Sequence, residues 1–138
     1  MYRLPLVAFG LLEAAFPDRI VASGERLAFD NPGEGRLRSW TLPMARLEGL
    51  VFCWLVLSGK TNAPAITRTI GMIGLPAFLA PRRFVTLALE TAYENPADLE
   101  LKSWVVPATR LLGVCYVAVA LFSQRARTAT NQHLDTAE

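Results

Sequence analysis

Histidine is almost missing from this chain: His133 is the only one in 138 residues, and it stands in a polar C-terminal stretch. A single histidine leaves no His-based metal set and no imidazole relay beside a nucleophile. Cysteine is nearly as scarce. Cys53 and Cys115 lie inside apolar stretches without metal-ligand spacing. They read as packed thiols that say little about redox compartment. Charge is thin as well, at 19% of residues with a formal net charge of +2. No basic run is long enough to track a nucleic-acid backbone. No glycine-rich phosphate loop follows a strand, and no nucleophile–base pair or His/Cys/carboxylate cluster is visible. The sequence thus points to no enzyme, no metal and no cofactor.

Apolar residues are abundant, at 52%, and they gather in four stretches: Leu4–Phe16, Thr41–Leu57, Ala63–Ala80 and Trp104–Phe122. A membrane-spanning helix needs about 17–25 mostly apolar residues. The last stretch meets this freely, the second and third meet it with an arginine inside each (Arg46 and Arg68), and the first is short. The alternative is a water-soluble bundle of very apolar helices. Soluble helices normally keep a polar face, and Leu112–Phe122 has none. Residues 1–16 also invite a signal-peptide reading, with Arg3 at the start and Ala14-Ala15 as small residues. Glu13 interrupts that pattern, so the segment reads as a retained helix. Residues 123–138 form a polar tail that reads as disordered or loosely helical.

Sliding the chain against itself by 64 residues aligns it without a gap. Pro17 meets Pro81, Arg19 meets Arg83, Asn31-Pro32 meets Asn95-Pro96, Ser39-Trp40 meets Ser103-Trp104, and Pro43 meets Pro107. Arg46-Leu47 and Gly49 meet Arg110-Leu111 and Gly113, while Gly10 meets Gly74. Tryptophan, proline and asparagine are uncommon enough that this reads as a tandem duplication, with units at 1–62 and 63–122.

Each unit predicts the same order of elements. An apolar helix ends at Phe16-Pro17 or Ala80-Pro81, because proline cannot continue the helix behind it. An amphipathic helix follows, marked in the second unit by Phe84, Val85, Ala88, Leu89, Ala92 and Tyr93 on one face. Glu25 and Arg26, like Glu90 and Glu94, are then expected to face water or headgroups. Asn31-Pro32 and Asn95-Pro96 read as helix stops, followed by a short polar bridge. Ser39 and Ser103 read as caps of the next helix, with Pro43 and Pro107 in its first turn. Trp40 and Trp104 sit where interfacial aromatics belong. The fold expected is therefore an all-α integral membrane protein. Four transmembrane helices form two parallel hairpin repeats, each with an interfacial helix between its spans.

"GLLEAAFPDR" at Gly10–Arg19 and "RLEGLVFCWLVL" at Arg46–Leu57 together resemble the small YjeT-like bacterial inner-membrane proteins. The resemblance covers Val7–Leu57 well and Ile73–Leu121 more loosely, resting on Phe16-Pro17-Asp18-Arg19 and on Arg46-Leu47 with Gly49. It implies a helical hairpin rather than a chemistry, and a role as accessory to a larger membrane assembly. This chain departs by holding two units and by its longer Asn-Pro surface segment.

Gly10, Gly49, Gly74 and Gly113 are expected to let helices approach closely, with a hinge or ligand gap as the alternative. An ionisable group at mid-bilayer is costly, so Glu13, Arg46, Glu48 and Arg110 are expected to pair at one depth. Such a cluster either fixes helix register or forms a proton, ion or anionic-lipid site. Two functions follow as expectations. The first is a non-enzymatic membrane scaffold that associates with itself, lipid or a larger complex. The second is a small transporter or channel built on the charge cluster. The basic residues of the surface segments, among them Arg19, Arg36, Arg38, Arg82 and Arg83, favour the cytoplasmic side of the cell membrane for those segments.

Overall fold

A computed structural model describes residues 3–60 and 63–136. The ordered elements are helices: α1 Arg3–Ala15, α2 Pro17–Ala28, α3 Thr41–Ser58, α4 Pro64–Leu79, α5 Pro81–Ala92 and α6 Val105–Asp135, with a 3-10 turn at Pro96–Asp98. The proline boundaries act locally. Phe16 and Ala80 leave helical geometry (ψ 57° and 62°), and Pro17 and Pro81 open the next helix, where a missing N–H is harmless. The turn is abrupt, with α4 and α5 meeting at 114°.

α1 packs antiparallel on α3, and α4 on α6, giving two hairpins. α2 and α5 cross the proline-bounded ends of the first and second hairpin respectively. Two helices are long and apolar enough to cross a membrane: α3, and α6 within Val105–Leu134. The bent pair α4–α5 is a third candidate. Only 17% and 11% of the first two apolar segments are buried within the chain, so their side chains face outward. Leu47, Leu50, Trp54, Leu111, Leu112 and Phe122 are each more than half exposed.

The two hairpins are joined through their surface segments. Phe29 pairs with Leu101 and Leu37 with Tyr93 in isolated antiparallel bridges. The Asp30 N–H donates to the Glu100 carbonyl (2.8 Å), and the Glu94 N–H to the Arg36 carbonyl (2.7 Å). Lys102 N–H donates to Ala28 (2.8 Å), and Arg38 N–H to Ala92 (2.9 Å). Each bond becomes its counterpart when 64 is added to one partner and subtracted from the other. Phe29, Tyr93 and Leu99 form a hydrophobic cluster here, and the two rings meet edge to face at 5.8 Å. The exchange is not fully symmetric. A Cβ on Gly35 would stand 2.8 Å from Tyr93 Cδ1 and 3.3 Å from Leu99 Cδ2. Gly35 therefore leaves the space that Tyr93 and Leu99 occupy, and a leucine there, as at the matching position 99, would collide with both.

Several local expectations change. α2 and α5 end at Ala28 and Ala92, so Asn31-Pro32 and Asn95-Pro96 lie beyond helices that have already stopped. The stop falls at Phe29 and Tyr93, which turn extended (ψ 144° and 149°) as their backbones enter the bridges and their rings the hydrophobic cluster. Trp40 and Trp104, rather than Ser39 and Ser103, occupy the N-cap positions, with no side-chain cap bond. Of the two readings of the tail the helical one is met: α6 continues unbroken through Ser123 to Asp135. That makes it about 46 Å long at 1.5 Å per residue.

Candidate functional site

The surface clasp holds the densest set of specific side-chain interactions, and asparagine carries it. Asn31 Nδ2 donates to the Asp98 carbonyl (2.7 Å), while Asn31 Oδ1 accepts from the Glu100 N–H (2.8 Å). Asn95 mirrors this, donating to the Glu34 carbonyl (2.9 Å) and accepting from the Arg36 N–H (2.7 Å). A primary amide presents a donor and an acceptor side by side, so it mimics a peptide unit and reads the opposite backbone as a strand would. Arg38 Nε donates to the Glu90 carbonyl (2.9 Å) and Lys102 Nζ to the Arg26 carbonyl (3.0 Å), again across the two hairpins. Trp40 adds an indole N–H bond to the Thr91 carbonyl (3.0 Å).

Glu25 belongs to this clasp and not to a free wet face. Its carboxylate accepts from the Tyr93 hydroxyl (2.8 Å) and from the Gly33 N–H (3.3 Å). Burial first, and then the hydrogen bond and charge of Glu25, raise the Tyr93 phenol above its ordinary range. The folded chain holds that proton more tightly than the unfolded chain does. Its contribution is therefore complete below the ordinary phenol pKa of about 10, and is lost as pH climbs beyond it. Tyr93→Phe is expected to remove about 1–2 kcal/mol, since the lost bond reaches a carboxylate. It should also flatten the decline in stability between pH 10 and 12. Unfolding followed by tryptophan fluorescence checks both, and an unchanged alkaline limb in the variant would refute the assignment.

The glycines form two facing pairs. A Cβ on Gly49 would lie 2.6 Å from the Gly10 carbonyl oxygen and 2.8 Å from Ala14 N. On Gly113 it would meet Phe78 N and stand 2.7 Å from the Gly74 carbonyl oxygen. In each hairpin the backbones come within touching distance at that point. Cys53 is buried beside Gly10, its thiol donating weakly to the Val7 carbonyl (3.4 Å), whereas Cys115 is exposed on α6 and is not a packed thiol.

Glu13, Arg46, Glu48 and Arg110 do not converge. No ion pair joins any of the four among the described residues. Glu13 has Glu48, a like charge, as its electrostatic neighbour. Glu48 lines a groove with Trp40, Met44 and Thr91, while Arg110 lines another with Arg82 and Lys102. Arg46 is exposed. The reason is geometric. Positions 46 and 48 point about 200° apart on one helix, and the hairpins meet at the clasp rather than along their apolar helices. Charges from different halves have no shared interior.

Among the described residues no three His, Cys, Asp or Glu side chains come together to hold a metal ion. His133 lies in the last turn of α6 and is exposed. The clasp itself was readable in one respect. Arg36-Leu37-Arg38 and Leu99-Glu100-Leu101-Lys102 alternate apolar and polar residues with the period of a strand. No family model, curated protein or solved structure matches this chain.

Proposed function

We propose that the chain is a multi-pass membrane scaffold in which a surface clasp holds two duplicated, YjeT-like hairpins side by side and presents their apolar faces to lipid and to other subunits. One observation carries this reading. The specific polar contacts lie in the clasp, while the longest apolar helices leave most of their surface uncovered. A protein folded in water would bury such faces. In the proposed placement all four of α1, α3, α4 and α6 cross the bilayer, and α2 and α5 lie at one interface. α1 and α4 are about 20 and 24 Å long against a hydrocarbon core of about 30 Å. The mismatch is met by local thinning and by snorkelling of Arg3. The charged side chains argue for a scaffold over a transporter, because Glu48 and Arg110 line separate grooves instead of a common path.

In the proposed orientation the clasp is cytoplasmic, a reading supported by the basic residues of its segments. Ser58→Cys and Ala97→Cys, each in a Cys115→Ala background, test membrane placement and orientation together. The chain should stay in the membrane pellet after carbonate washing. An impermeant maleimide should label position 58 from outside and leave position 97 unlabelled. Labelling at 97 alone would invert the orientation, and release as a monodisperse soluble protein would remove the reading. In mild detergent the chain should run above its monomer mass. A monomer that conducts ions in liposomes would replace the scaffold by a transporter.

A further inference from the structure

The basic side chains are unevenly distributed between the two hairpins. Arg82 on α5, and Lys102, Ser103 and Arg110 at and just inside the start of α6, line one groove of about 760 Å³. No carboxylate lines it. Arg82 and Arg110 also border an adjoining recess of about 270 Å³ whose walls include Leu79 and Val106. Among the described residues neither arginine is in an ion pair. Lys102 Nζ gives one hydrogen bond to the Arg26 carbonyl, which leaves two of its protons for another acceptor. At the positions 64 residues earlier stand Asp18, Arg38 and Arg46, one net positive charge against three. The difference is the reversal of sign from Asp18 to Arg82.

We infer that this groove between α5 and the start of α6 binds the phosphodiester of an anionic phospholipid headgroup. The inference rests on the membrane reading above. Two guanidinium forks and an ammonium suit phosphate oxygens, which accept paired, charge-assisted hydrogen bonds. The Ser103 hydroxyl is a further donor at the groove wall. Depth agrees with this ligand. Trp104 marks the interface in the proposed placement, and Arg110 starts about 9 Å further along the helix, from which its side chain reaches back to the headgroup level. The recess beside Leu79 and Val106 has one basic rim and one apolar wall, which matches a headgroup joined to an acyl chain. A free phosphate would use only the rim.

Native mass spectrometry of the full-length chain in a neutral detergent tests this with three probes: phosphatidylglycerol, phosphatidylcholine and soluble glycerol 3-phosphate. Phosphatidylglycerol should be retained about tenfold more strongly than phosphatidylcholine, and Arg82→Gln/Arg110→Gln should abolish that preference. Arg68→Gln, outside the groove, should leave it intact. Arg82→Lys/Arg110→Lys should keep part of it, because charge survives while the forks are lost. If the double glutamine variant fails to fold, Arg82→Asp, which copies the residue at position 18 from an exposed site on α5, should lower the preference on its own. Millimolar glycerol 3-phosphate should not displace the lipid. Equal binding of phosphatidylglycerol by parent and glutamine variants overturns the site. Displacement by glycerol 3-phosphate overturns the lipid assignment in favour of soluble phosphate. A parent chain that stays in the membrane pellet but shows no preference for phosphatidylglycerol overturns this inference and leaves the membrane reading standing.

Discussion

Replacing Asn31 and Asn95 together by alanine is expected to loosen the contact between the two hairpins without releasing the chain from the membrane pellet. Each amide makes two bonds to the opposite half. At about 0.5–1.5 kcal/mol per bond, and toward the low end because these sites are exposed, each substitution costs about 1–2 kcal/mol and the pair about 2–4. The apolar helices of one hairpin do not pack extensively on those of the other, so what still opposes separation is the rest of the clasp, its backbone bonds and the Phe29–Tyr93–Leu99 cluster. Spin labels at Ser23→Cys and Leu87→Cys, matching positions on α2 and α5, should give one narrow distance distribution in a Cys115→Ala background. The distribution should broaden in the double alanine variant, while carbonate-resistant membrane association persists. Asn31→Asp is expected to weaken the clasp too. It keeps the acceptor for Glu100 N–H, loses the donor to Asp98, and sets a negative charge beside Glu34, to which Asn31 now donates (3.0 Å). A distance distribution that stays narrow in both variants would show that the amides do not hold the halves together.

Gly113→Leu is expected to cost about 3 kcal/mol or more, and Gly49→Leu nearly as much. Overpacking by a methylene already costs about 1–3 kcal/mol when neighbouring side chains can rearrange. Here the atoms in the way are backbone, Phe78 N and the Gly74 carbonyl in one hairpin, the Gly10 carbonyl and Ala14 N in the other. Backbone cannot rotate aside, so the helices must move apart along the whole contact, and close approach is what holds apolar helices together in lipid. Gly24→Ala is the control. Nothing lies within 4 Å of its would-be Cβ, and it sits inside α2. Alanine there should stabilise by about 0.5–1 kcal/mol through the unfolded chain's entropy. Thermal unfolding in detergent ranks the three, and equal melting of Gly113→Leu and Gly24→Ala would refute the close contact.

The failures of sequence reading share a cause. Asn31-Pro32 looks like a helix stop because asparagine and proline both disfavour helix interior. A stop and a tether use the same residues, and the chemistry of an amide does not say which backbone it will face. Glu25 sits on the polar side of α2 by periodicity, yet Tyr93 from the other half reaches it. The four charges expected within the spans look balanced on paper. Balance in count is no constraint on place when positions 46 and 48 diverge on one helix and Arg110 belongs to a separate hairpin. The polar tail, which lacks an apolar face, reads as disordered or loosely helical, and it is helical because a helix already propagating from Val105 adds one hydrogen bond per residue without a new nucleus.

What the amino-acid sequence determined by itself is local: helices bounded at Pro17 and Pro81, apolar stretches without a polar face, and amphipathic helices between them. These follow from backbone sterics and from periodicities of a few residues. The partner of each surface segment was left open. Phe29 could have met Leu37 in its own half as readily as Leu101 in the other, because the two segments are nearly the same text. The tertiary structure decided for exchange. Crossing to the other half lets both asparagines reach an opposing backbone and brings Phe29 edge-on to Tyr93. It also seats Tyr93 and Leu99 against the space left by Gly35.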